Sequence, residues 1–266
     1  MDVMRKRTLL MLLLLFASND IVFAGTKCFI AKEGDKIVAI EGDCSQRVSP
    51  CSTFKISLSL IGHNEHIFIS EAHPQWPYKT EYSATREVCQ KPISPATWMQ
   101  NSCVWYSQVL TQKLGMAKFK DYMAKFNYGN QDLTGDPGKN DGIARAWLTS
   151  SLAISPKEQI VFLAKLIAAK HPVSEKAQFQ TKELIYLEEL PHSWKLFGKT
   201  GTGEPLQADG TRKADRQIGW FVGWLEKGER KIIFAHLIED EGKDDTPAGP
   251  RAKAVAKDKL LALINK

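Results

Sequence analysis

Lys195-Leu196-Phe197-Gly198-Lys199-Thr200-Gly201-Thr202 is the stretch on which the reading of the fold turns. With Trp194 before it, the run has the period of a strand, and two more β-type runs follow, Gln217 to Leu225 and Lys231 to Ile238. A polar loop and Lys227-Gly228-Glu229 separate the three. The other end of the chain carries a matching signal. Residues 28–41 read as a hairpin, with Cys28-Phe29-Ile30-Ala31, a Gly34-Asp35 turn, then Ile37-Val38-Ala39-Ile40. After Pro50 the pattern changes, because Phe54, Ile56, Leu58, Leu60 and Ile61 are too dense for an alternating surface strand and suit a buried helix. From about 95 to 190 the signals are mostly helical. Ser94-Pro95 and Ser155-Pro156-Lys157-Glu158 each open a helix with a cap and a first-turn proline, and residues 129–142, rich in Gly, Asp and Asn, read as loop. A final amphipathic helix after Pro250 carries Ala254, Leu260, Leu261 and Ile264. Strands at both ends around a helical middle predict an α+β fold: an antiparallel β-sheet flanked by helices, closed by distant segments, with an inserted mostly helical subdomain.

The 266 residues, 43% hydrophobic and 25% charged, describe a globular chain able to bury a sizeable core. The first residues stand apart from that core. Arg5-Lys6-Arg7, the apolar run Leu9 to Phe16 and the small residue ending Val22-Phe23-Ala24 have the order of a secretory signal peptide. Cleavage is expected after Ala24, leaving 25–266 as a single domain in the periplasm or outside the cell. A membrane anchor is disfavoured: the run falls short of the roughly 20 residues a span needs, and Ser18, Asn19 and Asp20 follow it. No membrane partner is expected after cleavage.

The formal charge of +6 is mild, and Lys118, Lys120, Lys165 and Lys170 are scattered among acids, which argues against nucleic acid as a partner. Five cysteines, Cys28, Cys44, Cys51, Cys89 and Cys103, leave at least one thiol without an intrachain partner. Pairing Cys44 with Cys28 or with Cys51 would close a short N-terminal loop, and the spacing does not choose between them. Without a C-x-x-C pair, a structural zinc site is not expected.

The chemistry starts at Ser52-Thr53-Phe54-Lys55. On a helix, residues three apart share a face, so the Lys55 amine can approach the Ser52 hydroxyl. A serine is a poor nucleophile until a base takes its proton. A lysine can be that base only if desolvation brings its pKa far below the roughly 10.4 of a free side chain. Ser52 would also sit in a first helical turn, where free N–H groups favour developing negative charge. In Lys199-Thr200-Gly201, followed by Thr202, a cation and a hydroxyl stand ready for a carboxylate, and glycine lets a ligand approach the backbone. Ser102-Cys103-Val104 falls on a predicted helix, and Tyr128-Gly129-Asn130 opens the loop. Ser-x-Val recurs at Ser107-Gln108-Val109, so that motif alone does not identify its serine.

Taken in order, the four motifs resemble one family: the class D (oxacillinase-type) β-lactamases, among the penicillin-recognising serine hydrolases. The resemblance runs over essentially the whole chain after residue 24. It includes Pro95 to Gln100 leading to Ser102, which favours Ser102 over Ser107. It also includes the run Phe126 to Asp132 and the run from Ala146-Trp147-Leu148 to Ser155.

The resemblance implies a penicillin-binding, transpeptidase-like fold and hydrolysis of penicillins and related antibiotics, conferring resistance. Ser52 would form the acyl-enzyme. Lys55 would be carboxylated by CO₂, giving a carbamate that serves as general base in acylation and deacylation, with no other cofactor. The indole N–H of Trp147 would hold the carbamate, and Val104 would help wall it from water. Ser102 would relay a proton to the leaving nitrogen. Lys199 and Thr200 would bind the substrate carboxylate, with Gly201 beside them. The N–H groups of Ser52 and Thr202 would form the oxyanion hole. Arg251, in Gly249-Pro250-Arg251, stands where many members place a carboxylate-binding arginine. The assembly implied is a monomer or weak homodimer.

Cys103 departs from the pattern as a thiol open to oxidation beside the site, and Cys51 directly precedes the nucleophile. His63 to Lys91 matches the family poorly. His63-x-x-His66 reads as a surface pair and not a metal site, and the acidic run Glu239-Asp240-Glu241 with Asp244 and Asp245 as a solvated turn. Trp76, Trp98, Trp105, Trp220 and Trp224 read as core or rim aromatics. Two other classes share the motifs, a β-lactam sensor domain that stays acylated and a peptidoglycan transpeptidase that deacylates slowly. Turnover separates both from a hydrolase.

Overall fold

In the computed structural model, which describes residues 25–207 and 209–265, the N-terminal hairpin forms as the turn chemistry predicts. Strand β1 (Gly25–Glu33) and strand β2 (Lys36–Gly42) pair antiparallel around Gly34, whose φ of +56° suits a residue without a Cβ. The expected signal peptide lies outside the described residues. A 3₁₀ turn (Cys51–Phe54) runs into helix α1 (Lys55–Asn64), which is buried almost throughout, as its apolar density requires.

Helices α2 (Pro95–Asn101), α3 (Val104–Leu114), α4 (Met116–Phe126), α5 (Gly142–Arg145), α6 (Pro156–Ile167) and α7 (Glu175–Leu184) follow. Ser94 and Ser155 cap α2 and α6 with full capping boxes and prolines in the first turn. Helical structure ends six residues early, because strand β3 (Tyr186–Leu190) follows α7. Tyr-Leu-Glu-Glu-Leu has no clear strand alternation, and its pairing to the next strand decides its state.

Strands β4 (Trp194–Gly203), β5 (Ile218–Lys227) and β6 (Arg230–Glu239) complete one sheet in the order β2-β1-β6-β5-β4-β3, with every pair antiparallel. The two ends of the chain thus meet at the β1–β6 pair. Helix α8 (Ala248–Ile264) starts two residues before Pro250, which sits in its first turn, where the missing N–H leaves no bond unmade.

The central strands β5 and β6 are buried on both faces, which explains why β5 reads as a continuous apolar run. Phe221, Leu225 and Phe234 pack under α8, where Ala248, Ala252 and Ala256 let the helix lie close. Trp220, Val222, Trp224, Ala235 and Leu237 face the helical side. A Cβ on Gly219 would fall 2.3 Å from the Ala248 carbonyl oxygen, so glycine there sets the approach of α8. Among the described residues no helix is long and apolar enough to cross a membrane.

Three expectations are corrected. The Cys103 thiol is not free: it is bonded to Cys89, while Cys44 pairs with Cys28 and Cys51 is the buried free cysteine. His63 is buried on α1 and edge-on to Phe68, not part of a surface pair. Asp240 is also buried, as the partner of an arginine described below. No metal-binding cluster occurs among the described residues.

The Cys28–Cys44 bridge closes a separation of 16 residues, which restricts the unfolded chain by about 3 kcal/mol. The double variant Cys28→Ser/Cys44→Ser is expected to lose about that much stability in equilibrium denaturation while keeping its far-UV circular dichroism.

Candidate active site

The segment before α1 is tied to three remote parts of the chain. Val48 exchanges backbone bonds with Ile154 at 3.1 and 2.9 Å. The Ser49 hydroxyl donates to the Trp147 carbonyl at 2.8 Å and accepts the Thr149 N–H at 2.9 Å. The Ser49 carbonyl accepts the Trp220 indole N–H at 2.9 Å. Thr53 closes the following turn, since its N–H and its hydroxyl both bond to the Pro50 carbonyl. Cys51 takes a φ of +49°, a left-handed value rare for a residue with a Cβ.

Strand β4 lies against this turn. A Cβ on Gly201 would stand 3.0 Å from the Pro50 carbonyl oxygen and 3.3 Å from Ser52 N, and one on Gly203 would lie 2.4 Å from Cys51 Sγ. Glycine at both positions is therefore a packing requirement. On the edge of β4 away from β5, β3 stops, its pairing ending at Tyr186 with Phe197, and the Gly198 N–H makes a last bond to the Ile185 carbonyl at 2.8 Å. Backbone N–H groups point to the same edge every second residue. Those of Thr200 and Thr202 therefore face the free edge that Ser52 approaches. Ser52 itself stands near the start of its turn, where N–H groups lack helical partners.

Lys55 is 0% exposed, with Nζ 3.3 Å from Ser52 Oγ and 6.0 Å above the Trp98 ring. Burial, aided by the positive charge of Lys199, holds its amine well below the ordinary lysine range. Phe54, its neighbour in sequence, stacks on Trp147 at 5.5 Å. The Trp147 Nε1–H is buried and finds no hydrogen-bond acceptor among the described residues. An orphaned buried donor is costly and calls for an acceptor that those residues do not supply. A deeply buried amine held below its ordinary range and this idle indole N–H fit a carboxylated Lys55.

Lys199 is 6% exposed, and its Nζ donates to the Thr200 carbonyl at 3.1 Å and approaches the Thr200 hydroxyl at 3.5 Å. Burial lowers its pKa to about 7, with the charges of Arg86 and Lys253 adding to the effect. Lys199, Thr200, Met99, Tyr186 and Lys253 line a cavity of about 350 Å³ along the free edge.

Ser102 is not on a helix. It occupies a left-handed break (φ 58°, ψ 37°) between α2 and α3 and is partly exposed. Ser107, by contrast, is buried and accepts the Trp98 indole N–H at 2.9 Å, so it is committed to the core. Val104 is 38% exposed and lines a hollow with Ser102, so it stands at the rim of the site.

Tyr128, Gly129 and Asn130 act as a brace. The Tyr128 ring packs edge-on to Phe54, and a Cβ on Gly129 would fall 2.0 Å from the Ala153 carbonyl oxygen. The Asn130 amide bonds to the Ser151 carbonyl and the Ala153 N–H, steadying the segment that carries Trp147. Arg251 is not brought to the cavity as a free cation. Its guanidinium is bidentate to Asp240 at 2.8 Å and lies 3.3 Å from Asp244. Sequence reasoning passed over Ser49, Lys253 and Arg86. A serine before a proline and isolated basic residues carry no periodic or motif signal.

The Penicillin binding protein transpeptidase domain family matches residues 27–260. The chain is 44% identical over 213 residues to "Beta-lactamase OXA-9" of Klebsiella pneumoniae, covering 80% of this chain and 78% of that one. It is 40% identical over 234 residues to "Beta-lactamase OXA-1" of Escherichia coli, covering 84% and 82%. The crystal structure of the OXA-427 class D β-lactamase superposes with a TM-score of 0.82 at 40% identity, over 89% of this chain and 99% of that one.

Lys199 also has a signature in stability. Folded, it releases its proton near pH 7, whereas the unfolded chain holds it to about 10.4. The unfolded state thus binds the extra proton between these values, so the penalty for burying Lys199 is full below pH 7 and fades as the pH rises. Lys199→Met is expected to stabilise the protein in urea unfolding, by more at pH 7 than at pH 10. A gain independent of pH would contradict the assignment.

Proposed function

This chain belongs to the class D serine β-lactamases, whose activity is the hydrolysis of β-lactams, and we propose that it works through an acyl-enzyme on Ser52. The observation that carries this assignment is the 3.3 Å approach of the fully buried Lys55 amine to the Ser52 hydroxyl. As the Ser52 proton leaves toward Lys55, Oγ bonds to the lactam carbonyl carbon. The oxygen gains charge facing the N–H groups of Ser52 and Thr202, a contribution of a few kcal/mol (roughly 3) in comparable sites. The C–N bond then breaks, and Ser102 passes a proton to the leaving nitrogen. Lys199 and Thr200 hold the substrate carboxylate at the free edge, where Gly201 lets it approach the backbone. Water then cleaves the ester and releases the ring-opened acid.

CO₂ adding to the neutral Lys55 amine would supply a carbamate, a carboxylate-like base beside Ser52, with the Trp147 indole N–H as its donor. Burial supports this, because a neutral amine attacks CO₂ and a protonated one does not. Tyr128, Gly129 and Asn130 position Trp147. Arg251 is given no role in binding substrate. Two disulfides fit an oxidising compartment, in keeping with export by residues 1–24 and a single domain over 25–266.

A chromogenic cephalosporin should be hydrolysed well beyond one equivalent of protein. A stoichiometric burst with nothing after it would identify a sensor or transpeptidase instead. Lys55→Ala should lower steady turnover by about 10²–10⁴-fold, the range for loss of a general base. Trp147→Ala should slow deacylation more than acylation. Added bicarbonate should restore activity lost on dilution or at low pH, and carbon-13 NMR should show a carbamate resonance on Lys55. Indifference to bicarbonate with an unmodified lysine would refute the carbamate.

A further inference from the structure

The loop before α2 reaches the site through a covalent tie. Cys89 is bonded to Cys103, the residue after Ser102, and the Cys89 carbonyl accepts the Trp105 indole N–H at 2.8 Å. Arg86, three residues earlier, donates from Nη1 to the Asn101 carbonyl at 2.7 Å, so it is fastened to the residue before Ser102. The loop is thus pinned on both sides of Ser102, and it carries a guanidinium with it. Arg86 lines a hollow of about 340 Å³ with Ser102, Val104, Trp105, Arg145 and Leu148.

The charges around the cleft differ in one respect. Arg145, on the same hollow, is held by Asp136 at 3.2 Å and Asp141 at 3.4 Å. Arg251 is taken by Asp240 and Asp244, and Lys253 lies 3.3 Å from Glu188. Among the described residues no carboxylate lies within 4 Å of the Arg86 guanidinium, which is exposed and uses one N–H on a carbonyl. Its other donors are free for a ligand, and a guanidinium suits a carboxylate's two oxygens. Its charge is felt at Lys199, which places it within electrostatic reach of the cleft.

Resting on the β-lactamase assignment above, we propose that Arg86 is a specificity-determining residue. It receives a second anion, carried on the acyl side chain of the β-lactam, in the hollow beside Ser102. The ring carboxylate already has Lys199 and Thr200, on a separate cavity. The apolar surfaces of Val104 and Leu148 take the body of the side chain, and Arg86 takes its negative end. The Cys89–Cys103 bond and the Asn101 contact hold the guanidinium in place before substrate arrives, which reduces the ordering cost of binding.

Benzylpenicillin and carbenicillin differ by one carboxylate on the acyl side chain, and they are the probes. The rate of Ser52 acylation by each, followed by intact-protein mass spectrometry, gives a carbenicillin-to-benzylpenicillin ratio that does not depend on turnover or on the folded fraction. Arg86→Gln should lower this ratio about fivefold, the worth of one partly exposed ion pair. Arg86→Lys should lower it less, because it keeps the charge. Raising sodium chloride should lower the ratio in the parent protein and not in Arg86→Gln. A ratio unchanged in Arg86→Gln would overturn the proposal, and if both rates also fell equally, Arg86 would be assigned to the ring carboxylate. Acylation without turnover would refute only the hydrolase assignment and leave the ratio readable.

Discussion

Burying the Lys55 amine beside Ser52 is the constraint around which the rest is arranged. An ammonium moved out of water loses several kcal/mol, roughly 5 or more, of solvation unless it is paired, and among the described residues no carboxylate bonds to this one. Burial therefore disfavours the protonated form, which is what a base beside a hydroxyl requires. An aromatic shell maintains the dryness. Trp98 lies under the amine, while Phe54, Trp147, Phe119 and Tyr128 interlock next to it. The Trp147 ring, stacked on Phe54 next to Lys55 in sequence, also buries an N–H with no partner among the described residues. Sites that break the ordinary rules of burial are where function is expected.

Such a site holds only if its parts cannot drift, and here they come from distant stretches of the chain. Ser49 gathers residues 147–149 and β5 onto the turn before Ser52 through three hydrogen bonds. Gly201 and Gly203 let β4 approach that turn at backbone contact. The sheet supplies stiffness, because β4 is paired along its whole length with β5 while its other edge is left open beyond Gly198. An open strand edge is ordinarily a liability. At this position it leaves backbone N–H groups unpaired beside Ser52, as the proposed oxyanion hole requires.

The cleft also has an uneven charge distribution. Lys199, Lys253 and Arg86 gather near one another, and the first is buried enough to titrate near neutrality. Arg251 carries the same charge but spends it on Asp240, whose side chain is 1% exposed and would otherwise be a buried unpaired anion. Two arginines of equal chemistry thus take different duties according to what faces them. A disulfide fixes the loop that carries the available one.

The amino-acid sequence by itself determined the strands at both ends, the buried helix after Pro50, the two serine-proline helix starts and the order of the four motifs. Those signals are local: periodicity, capping and spacing survive in a one-dimensional text. It did not determine β3, whose state depends on pairing with β4, nor the choice of Cys28 over Cys51 for Cys44. It placed Ser102 on a helix, although backbone conformation puts it at a left-handed break. It offered Val104 and Arg251 by position in a motif, while exposure and the company of Asp240 are set by residues far away in the chain. Tertiary structure alone decided which lysines are dry, that the Trp147 indole lacks an acceptor and that Arg86 at the cleft has no carboxylate partner among the described residues. Desolvation and ion pairing depend on neighbours in space, and sequence spacing fixes neighbours only within a turn of helix or a strand.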